Sequence, residues 1–382
     1  MFAQTVPGPV IERGNTQRTG VYATVFVRHP DEKPWESEKL FLLDRPGLTG
    51  LGDYVHGTAG YEAIRDSLPG PPNTYYLPPV VREGTVYFSA SFNDSNLYAV
   101  DLATGKLKWK LVQNKFEFTS PTLDSDLLYF GAGKYLHAIN PVTQSERWKF
   151  EASDEIPALL SPLVVNETVY FGSRDGNIYA VNAANGREKW TFKVGHAVSW
   201  KPLVFSGDML YAAEFSGTIH ALRVSPTQER WTFKSKTGVW RMAIDGDRLC
   251  FVDGRGYVHL LDSGTGNEIS EFKTGNRAGT EPAFSDGKLF FGGWDSGSLF
   301  AVNAATGEKI WKFEQVLGCR PPVLANGTVY LACADEHLYA LDGATGKKLW
   351  SLEVKQRVMS TPFIAEGVLY YVADDGKVHA VR

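Results

Sequence analysis

The sequence predicts an all-β protein built by repetition of one unit, and two spacings support this. In six copies an alanine on one strand is followed ten positions later by a tryptophan on the next: Ala99/Trp109, Ala138/Trp148, Ala180/Trp190, Ala221/Trp231, Ala301/Trp311 and Ala340/Trp350. A further copy, Leu260/Ser270, keeps the spacing but lacks both residues. Upstream, a proline comes eight positions before an aromatic residue, as in Pro162 and Tyr170. Alternating segments joined by tight turns are typical of β-strands.

The length of the repeat predicts the architecture. Each copy supplies four strand-like segments in about 40 residues, which is typical of one blade of a β-propeller. The repeats cover residues 78–382, with seven complete copies and a last one that ends after three strands. We therefore expect residues 1–382 to form a single domain, an eight-bladed β-propeller of four-stranded blades.

The segments before the repeats are expected to complete this domain. Residues 1–34 form a lead-in without the repeat, and residues 35–44 have the pattern of one strand. Pairing of that strand with the C-terminal blade would close the ring and remove two exposed sheet edges. The long connection at residues 44–77 is expected to be a lid over the funnel face, the side of the ring on which the loops before the first strands gather.

Composition and charge argue against several classes of protein. The formal net charge of −4 argues against a nucleic-acid-binding protein. No apolar run approaches the roughly 20 residues of a transmembrane helix. The N-terminal residues lack the basic start and apolar core of a signal peptide. We therefore expect a cytoplasmic protein if Met1 is the native start, and a periplasmic or extracellular one if a signal peptide has been removed.

The three cysteines give no sign of a metal or of a disulfide framework. Cys250, Cys319 and Cys333 are neither an even set nor spaced as zinc ligands. We expect buried thiols on strands, no metal, no cofactor and a monomeric protein.

Three of the hairpins resemble those of a known repeat family. LYAVDLATGKLKW (97–109), LFAVNAATGEKIW (299–311) and LYALDGATGKKLW (338–350) are similar to the pyrroloquinoline-quinone-like repeat, over roughly residues 78–382. The resemblance implies a propeller in which each tryptophan docks between adjacent blades. The family holds quinone dehydrogenases, the outer-membrane assembly lipoprotein and sensor domains of kinases, so it implies the fold more strongly than the function.

The dehydrogenase branch of that family is disfavoured. Its members resemble one another in an adjacent pair of cysteines against the quinone, and no two cysteines of this chain are adjacent. The chain is therefore similar to a non-dehydrogenase member, with a distant similarity to the assembly lipoprotein propeller.

Departures from the repeat locate a candidate site. Where other copies carry Ser, Thr, Leu or Pro before the first strand, copies four to seven carry tryptophan, cationic or acidic residues. Phe215, Trp294 and Asp295 fall in loops between second and third strands, on the same face. The candidate ligand-binding residues are Trp200, Lys201, Phe215, Trp240, Arg241, Glu281, Trp294, Asp295, Arg320 and Tyr76. A purely structural alternative is that Lys201, Arg241 and Glu281 pair with one another in the central channel.

Two functions follow from this set. The preferred one is a binding propeller, whose funnel-face pocket holds a small molecule, a peptide or another protein through indoles and cationic groups. The alternative is a metal-independent enzyme in the same funnel, capped by residues 44–77. In that enzyme Glu281 or Asp295 is the acid or base, and Arg320 and Lys201 stabilise charge.

Overall fold

The protein is all-β over the part of the chain that the structure describes. The computed structural model describes residues 75–76, 79–91, 96–102, 106–112, 117–124, 126–158, 160–274, 279–293, 297–314, 318–354, 358, 361–365, 368–372 and 378–381. These residues form antiparallel strands and turns, with no helix among them, and so none that is long and apolar enough to cross a membrane. The expected closing strand (35–44) and all of the expected lid (44–77) except Tyr75–Tyr76 lie outside these ranges; those two residues form a short strand of the first sheet.

The strands assemble into successive sheets of neighbouring strands. The first sheet holds β1 (Tyr75–Tyr76), β2 (Val80–Arg82), β3 (Thr85–Ser91), β4 (Asn96–Asp101) and β5 (Leu107–Val112). The second sheet holds β6 (Thr122–Asp124), β7 (Leu127–Ala132), β8 (Tyr135–Ile139) and β9 (Glu146–Glu151). The third holds β10 (Leu163–Val165), β11 (Thr168–Gly172), β12 (Asn177–Asn182) and β13 (Glu188–Lys193). The fourth holds β14 (Val198–Ser206), β15 (Met209–Glu214), β16 (Thr218–Val224) and β17 (Thr227–Lys234).

The remaining sheets repeat the same order. The fifth sheet holds β18 (Val239–Asp245), β19 (Arg248–Asp253), β20 (Tyr257–Asp262) and β21 (Glu268–Lys273). The sixth holds β22 (Ala283–Ser285), β23 (Lys288–Gly293), β24 (Ser298–Asn303) and β25 (Lys309–Glu314). The seventh holds β26 (Val323–Ala325), β27 (Thr328–Ala332), β28 (His337–Asp342) and β29 (Lys348–Glu353). The eighth holds three strands, β30 (Phe363–Ala365), β31 (Val368–Val372) and β32 (Val378–Val381). The predicted four-stranded unit is therefore confirmed in seven sheets.

Each second strand is buried on both faces, because its alternate residues face different neighbouring sheets. In β19, Leu249 and Phe251 join the hydrophobic cluster of the fourth and fifth sheets. Cys250 and Val252 join the cluster of the fifth and sixth. This explains the near-continuous apolar runs in the second strands. One cluster combines residues of the first sheet with residues of the seventh and eighth, so the beginning and the end of the described chain pack together.

The repeated tryptophan docks on the turn of the following sheet. The indole Nε1 of Trp148 donates a hydrogen bond to the carbonyl oxygen of Ala183 at 2.8 Å. Trp109, Trp231 and Trp311 donate in the same way to Pro141, Ser263 and Gly343. Each indole thus buries its apolar plate and satisfies its N–H at one place, as the family resemblance implied.

The glycine of that turn serves two purposes. Gly186, Gly266 and Gly346 have positive φ angles of 69°, 75° and 71°. A Cβ placed on Gly186 would lie 2.6 Å from Cε3 of Trp148. Glycine adopts this left-handed conformation without the steric cost of a Cβ, which suits it to the tight turn of a hairpin. The sequence pattern did not indicate that the same glycine also makes room for the tryptophan of the preceding sheet.

The expectation for two of the cysteines is wrong. Cys319 and Cys333 form a disulfide, which joins the segment before β26 to the segment after β27. An odd number of cysteines does not exclude a disulfide, because one bonded pair and one free thiol also make three. Cys250 is a buried thiol on β19, as predicted, and burial raises its pKa well above the usual range.

We predict that Gly186→Ala destabilises the protein more than Gly207→Ala. Both residues have positive φ, so both variants incur the left-handed cost of about 1 to 2 kcal/mol. Only at Gly186 does the new methyl group also meet an indole, which we expect to add about 1 to 3 kcal/mol. Urea denaturation of the two variants measures the difference, and equal losses would contradict the double role of the turn glycine.

Candidate functional site

The funnel face is the edge of the sheets at which first strands begin and second strands end. In the fifth sheet, Val239 at the start of β18 pairs with Asp253 at the end of β19. The next pair is Arg241 with Val252, so Trp240 is an extra residue that forms a β-bulge. Bulges redirect side chains at sheet edges. This one leaves Trp240 46% exposed, although it lies within a strand.

A second exposed aromatic residue accompanies Trp240. Phe215 follows β15 in the fourth sheet and is 43% exposed. A Cβ placed on Gly238 would lie 3.1 Å from the carbonyl oxygen of Phe215 and 3.8 Å from Nε1 of Trp240. One placed on Gly254 would lie 3.0 Å from the same Nε1. The indole thus rests over two glycines beside the loop of Phe215, and the two sheets present one aromatic surface.

Beneath this surface, two neighbouring sheets contain the same relay, in which a buried carboxylate and a buried histidine lead to a partly exposed glutamate. In the fourth sheet, His220 Nε2 lies 3.1 Å from Oε1 of Glu214, and His220 Nδ1 lies 2.6 Å from Oε1 of Glu229. In the fifth sheet, Asp253, His259 and Glu268 occupy the corresponding places, at 3.7 Å and 2.6 Å. Each relay runs from the funnel face across the sheet to its fourth strand.

The buried carboxylates of both relays are stabilised in their charged form. Burial alone would raise the pKa of Glu214, but hydrogen bonds from Ser216 and His220 and the charge of His220 outweigh it and lower that pKa. Burial would also raise the pKa of Asp253. There His259, the backbone N–H groups of Tyr257 and Arg255 and the hydroxyl of Thr237 lower it instead. Both groups therefore bind protons weakly, which suits structural anions and not proton donors at neutral pH.

The structure places some of the predicted site residues on this face and leaves others undefined. Trp200 and Lys201 lie in β14, between the paired residues Val198 and Leu203, where the register shifts. Their side chains, and that of Tyr76 in β1, are outside the described set, as are Trp294 and Asp295 altogether. Those placements stay predictions.

Glu281 and Arg320 occupy corresponding places on the next two sheets. Glu281 lies just before β22, and Arg320 just before β26. First strands of adjacent sheets are in contact from the fourth sheet to the seventh, so these residues continue around the funnel face from Trp240 and Arg241. Nε of Arg320 donates to the carbonyl oxygen of Val358 at 3.3 Å, which ties the seventh sheet to the segment leading into the eighth. This contact gives Arg320 a structural role, independent of any ligand.

Sequence reasoning missed the two histidine relays. Their signal is the spacing, because Glu214, His220 and Glu229 are separated by the same intervals as Asp253, His259 and Glu268. The repeat is defined by apolar residues, so a set of polar residues that recurs in only two copies does not stand out from it. Gly238 and Gly254 were missed because their importance depends on a contact across the sheet.

Comparison with known proteins shows similarity over most of the chain. The family described as outer membrane protein assembly factor BamB matches residues 56–154, 93–234, 216–318 and 295–382. The serine/threonine-protein kinase AfsK of Streptomyces griseus is 28% identical over 152 residues, which are 35% of this chain and 18% of the kinase. BamB of Burkholderia pseudomallei (strain K96243) is 23% identical over 260 residues, 63% of this chain and 66% of that protein. The chain thus spans less than two thirds of each of these relatives.

A solved structure supports the same fold. The crystal structure of BamB from Moraxella catarrhalis superposes with a TM-score of 0.61 and 18% sequence identity, covering 80% of this chain and 93% of that one. At this identity the similarity establishes the fold, a β-propeller of repeated four-stranded sheets, and leaves the function open.

We predict that Glu214→Gln flattens the acid dependence of stability. Because the pKa of Glu214 is lowered by folding, its contribution is complete above about pH 4.5 and is lost as the pH falls through the folded-state pKa. The variant should be less stable than the wild type by about 1 to 3 kcal/mol at pH 7, and the gap should narrow toward pH 3. Urea denaturation at several pH values tests this. Glu308→Gln, which neutralises an exposed carboxylate, is the control; parallel curves for Glu214→Gln and the wild type would contradict the prediction.

Proposed function

Because the chain belongs to the family of the outer membrane protein assembly factor BamB, we propose that it is a non-catalytic scaffold that binds another protein on its funnel face. An assembly factor acts on other proteins, and the description of the family therefore favours a macromolecular partner over a small substrate. The partner segment that fits best is an extended peptide with apolar side chains next to carboxylates. Indoles bind the former, and a guanidinium such as that of Arg241 binds the latter.

The observation that carries this proposal is the exposed aromatic pair. Phe215 and Trp240 present their rings from adjacent sheets on one face. Aromatic residues with about half of their surface exposed are enriched at the centres of protein interfaces, where they supply a large contact area at low entropic cost. Apolar surface that stays exposed does not stabilise the folded chain, so a binding role accounts for the exposed part of these two side chains better than packing does.

The state of the carboxylates weighs against the enzyme alternative. A general acid at neutral pH needs a carboxyl group whose pKa is raised by burial without compensating partners. The described buried carboxylates of this face, Glu214 and Asp253, have several partners each and lowered pKa values. Glu281 and Asp295, the candidate acids or bases of that scheme, stay predictions.

We further propose that the propeller has eight blades and that residues 35–44 complete the last one. Two observations support this: the eighth sheet has three described strands where the others have four or five, and the first sheet shares a hydrophobic cluster with the seventh and eighth. An added strand from the N-terminal segment would pair with β32, the last described strand of this sheet, and tie the two ends of the chain together.

The Cys319–Cys333 disulfide supports one of the two expected compartments. Disulfides form and persist in oxidising surroundings and are rare in the cytoplasm. We therefore favour a periplasmic or extracellular location for this protein.

The binding proposal predicts that Trp240→Ala and Phe215→Ala weaken peptide binding with little loss of stability. Peptides selected from a phage-displayed library on the wild-type protein provide the probe, and fluorescence polarisation gives their Kd. We expect at least a tenfold weaker Kd, about 1.4 kcal/mol, because exposed aromatic anchors carry much of the energy of an interface. The free energy of unfolding should change by about 1 kcal/mol or less, since the side chains lie at the surface.

Leu349→Ala is the matched control for Trp240→Ala. Leu349 is 48% exposed, close to the 46% of Trp240, but it lies on the fourth strand of the seventh sheet, away from the funnel face. Selected peptides that bind Trp240→Ala and Phe215→Ala as tightly as the wild type would reject the site, and so would an equal loss in Leu349→Ala.

The closure proposal predicts different behaviour for two truncations. Deleting residues 1–34 should leave a monomer that unfolds cooperatively, whereas deleting residues 1–45 should expose a sheet edge and cause aggregation or a lower, broader melting transition. Size-exclusion chromatography and calorimetry compare the two. A monomeric product of the longer deletion, with the melting curve of the shorter one, would refute closure by residues 35–44.

A further inference from the structure

Three potential metal ligands meet on the third and fourth strands of the fifth sheet. Nδ1 of His259 lies 2.6 Å from Oε1 of Glu268 and 3.9 Å from Oε2 of Glu271. The three ligand atoms lie within 4.8 Å of one another. Glu271 is the cross-strand partner of His259, and the bulge between Leu260 and Leu261 brings Glu268 to the same face.

The imidazole is held as a metal-binding histidine is held. His259 is only 7% exposed, and its ring stacks on Phe251 at 4.3 Å with an angle of 9°. Its Nε2 is buried, makes no hydrogen bond within the described residues, and faces the carboxylate of Asp253 at 3.7 Å. A carboxylate behind one ring nitrogen, with the other nitrogen directed at further ligands, is the usual outer-shell arrangement of histidine metal sites.

The charge of this cluster is not balanced by basic side chains. Asp253, Glu268 and Glu271 surround one imidazole, and within the described residues none of the three forms an ion pair with Lys or Arg. Glu268 and Glu271 are partly exposed, so a cation has access from the solvent and both side chains have room to adjust. A divalent cation would neutralise the excess negative charge.

The other repeats show that the third ligand is particular to this sheet. The pair of histidine and glutamate recurs as His220 with Glu229 and as His137 with Glu146. The cross-strand partner that corresponds to Glu271 is Thr232 in the fourth sheet and Lys149 in the second. The histidine–glutamate pair alone is thus a feature of the fold, whereas the addition of Glu271 departs from it.

We propose that His259, Glu268 and Glu271 bind a divalent cation of the zinc class, with solvent completing its coordination. One imidazole nitrogen and two carboxylates form the mixed nitrogen and oxygen set that suits Zn²⁺, and three protein ligands with an open fourth position are a known zinc arrangement. Tetrahedral bonds of about 2.0 Å require the ligand atoms to lie about 3.3 Å apart, so Glu268 must move away from Nδ1 by less than 1 Å.

The location gives the cation a structural purpose. The fifth sheet is the copy whose fourth strand, β21, carries Ser270 in place of the docking tryptophan, and Oγ of Ser270 is buried without a hydrogen-bond partner among the described residues. β21 therefore lacks the indole anchor of the other copies. A cation that joins His259 on β20 to two residues of β21 fastens this strand by a different means.

Zinc titration of the full-length protein tests the proposal. By isothermal titration calorimetry with Zn²⁺, Glu271→Thr should bind at least tenfold more weakly than the wild type at this site, since it copies the residue found in the fourth sheet. Its melting temperature without zinc should be unchanged, and the zinc-induced rise seen in the wild type should be lost. Equal affinity and stoichiometry in the two proteins would overturn the proposal.

Thr232→Glu provides an independent gain-of-function test. It places the third carboxylate beside His220 and Glu229, where Glu214 already lies behind the ring. This variant should bind one Zn²⁺ ion more than the wild type. Stoichiometry unchanged from the wild type would mean that these three residue types in this register do not make a zinc site, and would reject the assignment even if Glu271→Thr failed to fold.

Discussion

The packing of an indole on the turn of the next sheet is the interaction on which this structure depends. It requires a small residue beside the ring, and the cross-strand partner of the tryptophan is alanine in every described copy that has the tryptophan, as in Ala180 with Trp190. The turn that receives the indole contains a residue with positive φ, which is glycine at Gly186 and glutamine at Gln144. A register shift directly after the alanine sets the turn in place. The spacing of the repeat is therefore set by one contact between successive sheets.

Because this contact and the apolar second strands hold the sheets together, the sheet edges are free to vary. The funnel face uses that freedom in two ways. Above, Trp240 emerges from a bulge and Phe215 from a loop, so aromatic surface meets the solvent. Below, hydrogen bonds hold Glu214 and Asp253 at the ends of the two relays and so keep the turns between second and third strands in place. In two other sheets, Asp175 and Asp335 bind Tyr179 and Tyr339 at the corresponding turns, so the supporting role is general while the exposed aromatic pair is local.

The fold could be predicted from the sequence because it depends on residues that recur, whereas the site depends on residues that do not. Periodic alanine, tryptophan, proline and glycine indicated the strand order and the four-stranded sheets. The position of Trp240 on the funnel face could also be predicted, because it is fixed by the distance of this residue from the repeated positions. What could not be predicted is what meets across a sheet: the disulfide of Cys319 with Cys333, the indole over Gly254, and the relay through His259. These contacts depend on the registers of the strands and on the positions of β-bulges, which cannot be predicted from one segment of the sequence alone.

The tryptophan contact also has a direction, and this direction determines how fragments and circular permutants of the chain would behave. In the described copies that make the tryptophan contact, the indole of one sheet docks on the turn of the next, so the interface is heterologous. Identical steps of this kind lead either to a ring or to an open filament. In this chain, residues of the first sheet share a hydrophobic cluster with residues of the seventh and eighth. A fragment of a few sheets would keep one unmatched side of each type and would join end to end with its copies. If the ring closes as proposed, a circular permutant that opens the chain in a loop between sheets would retain these contacts, because the order of the sheets, and not the position of the termini, decides which indole meets which turn.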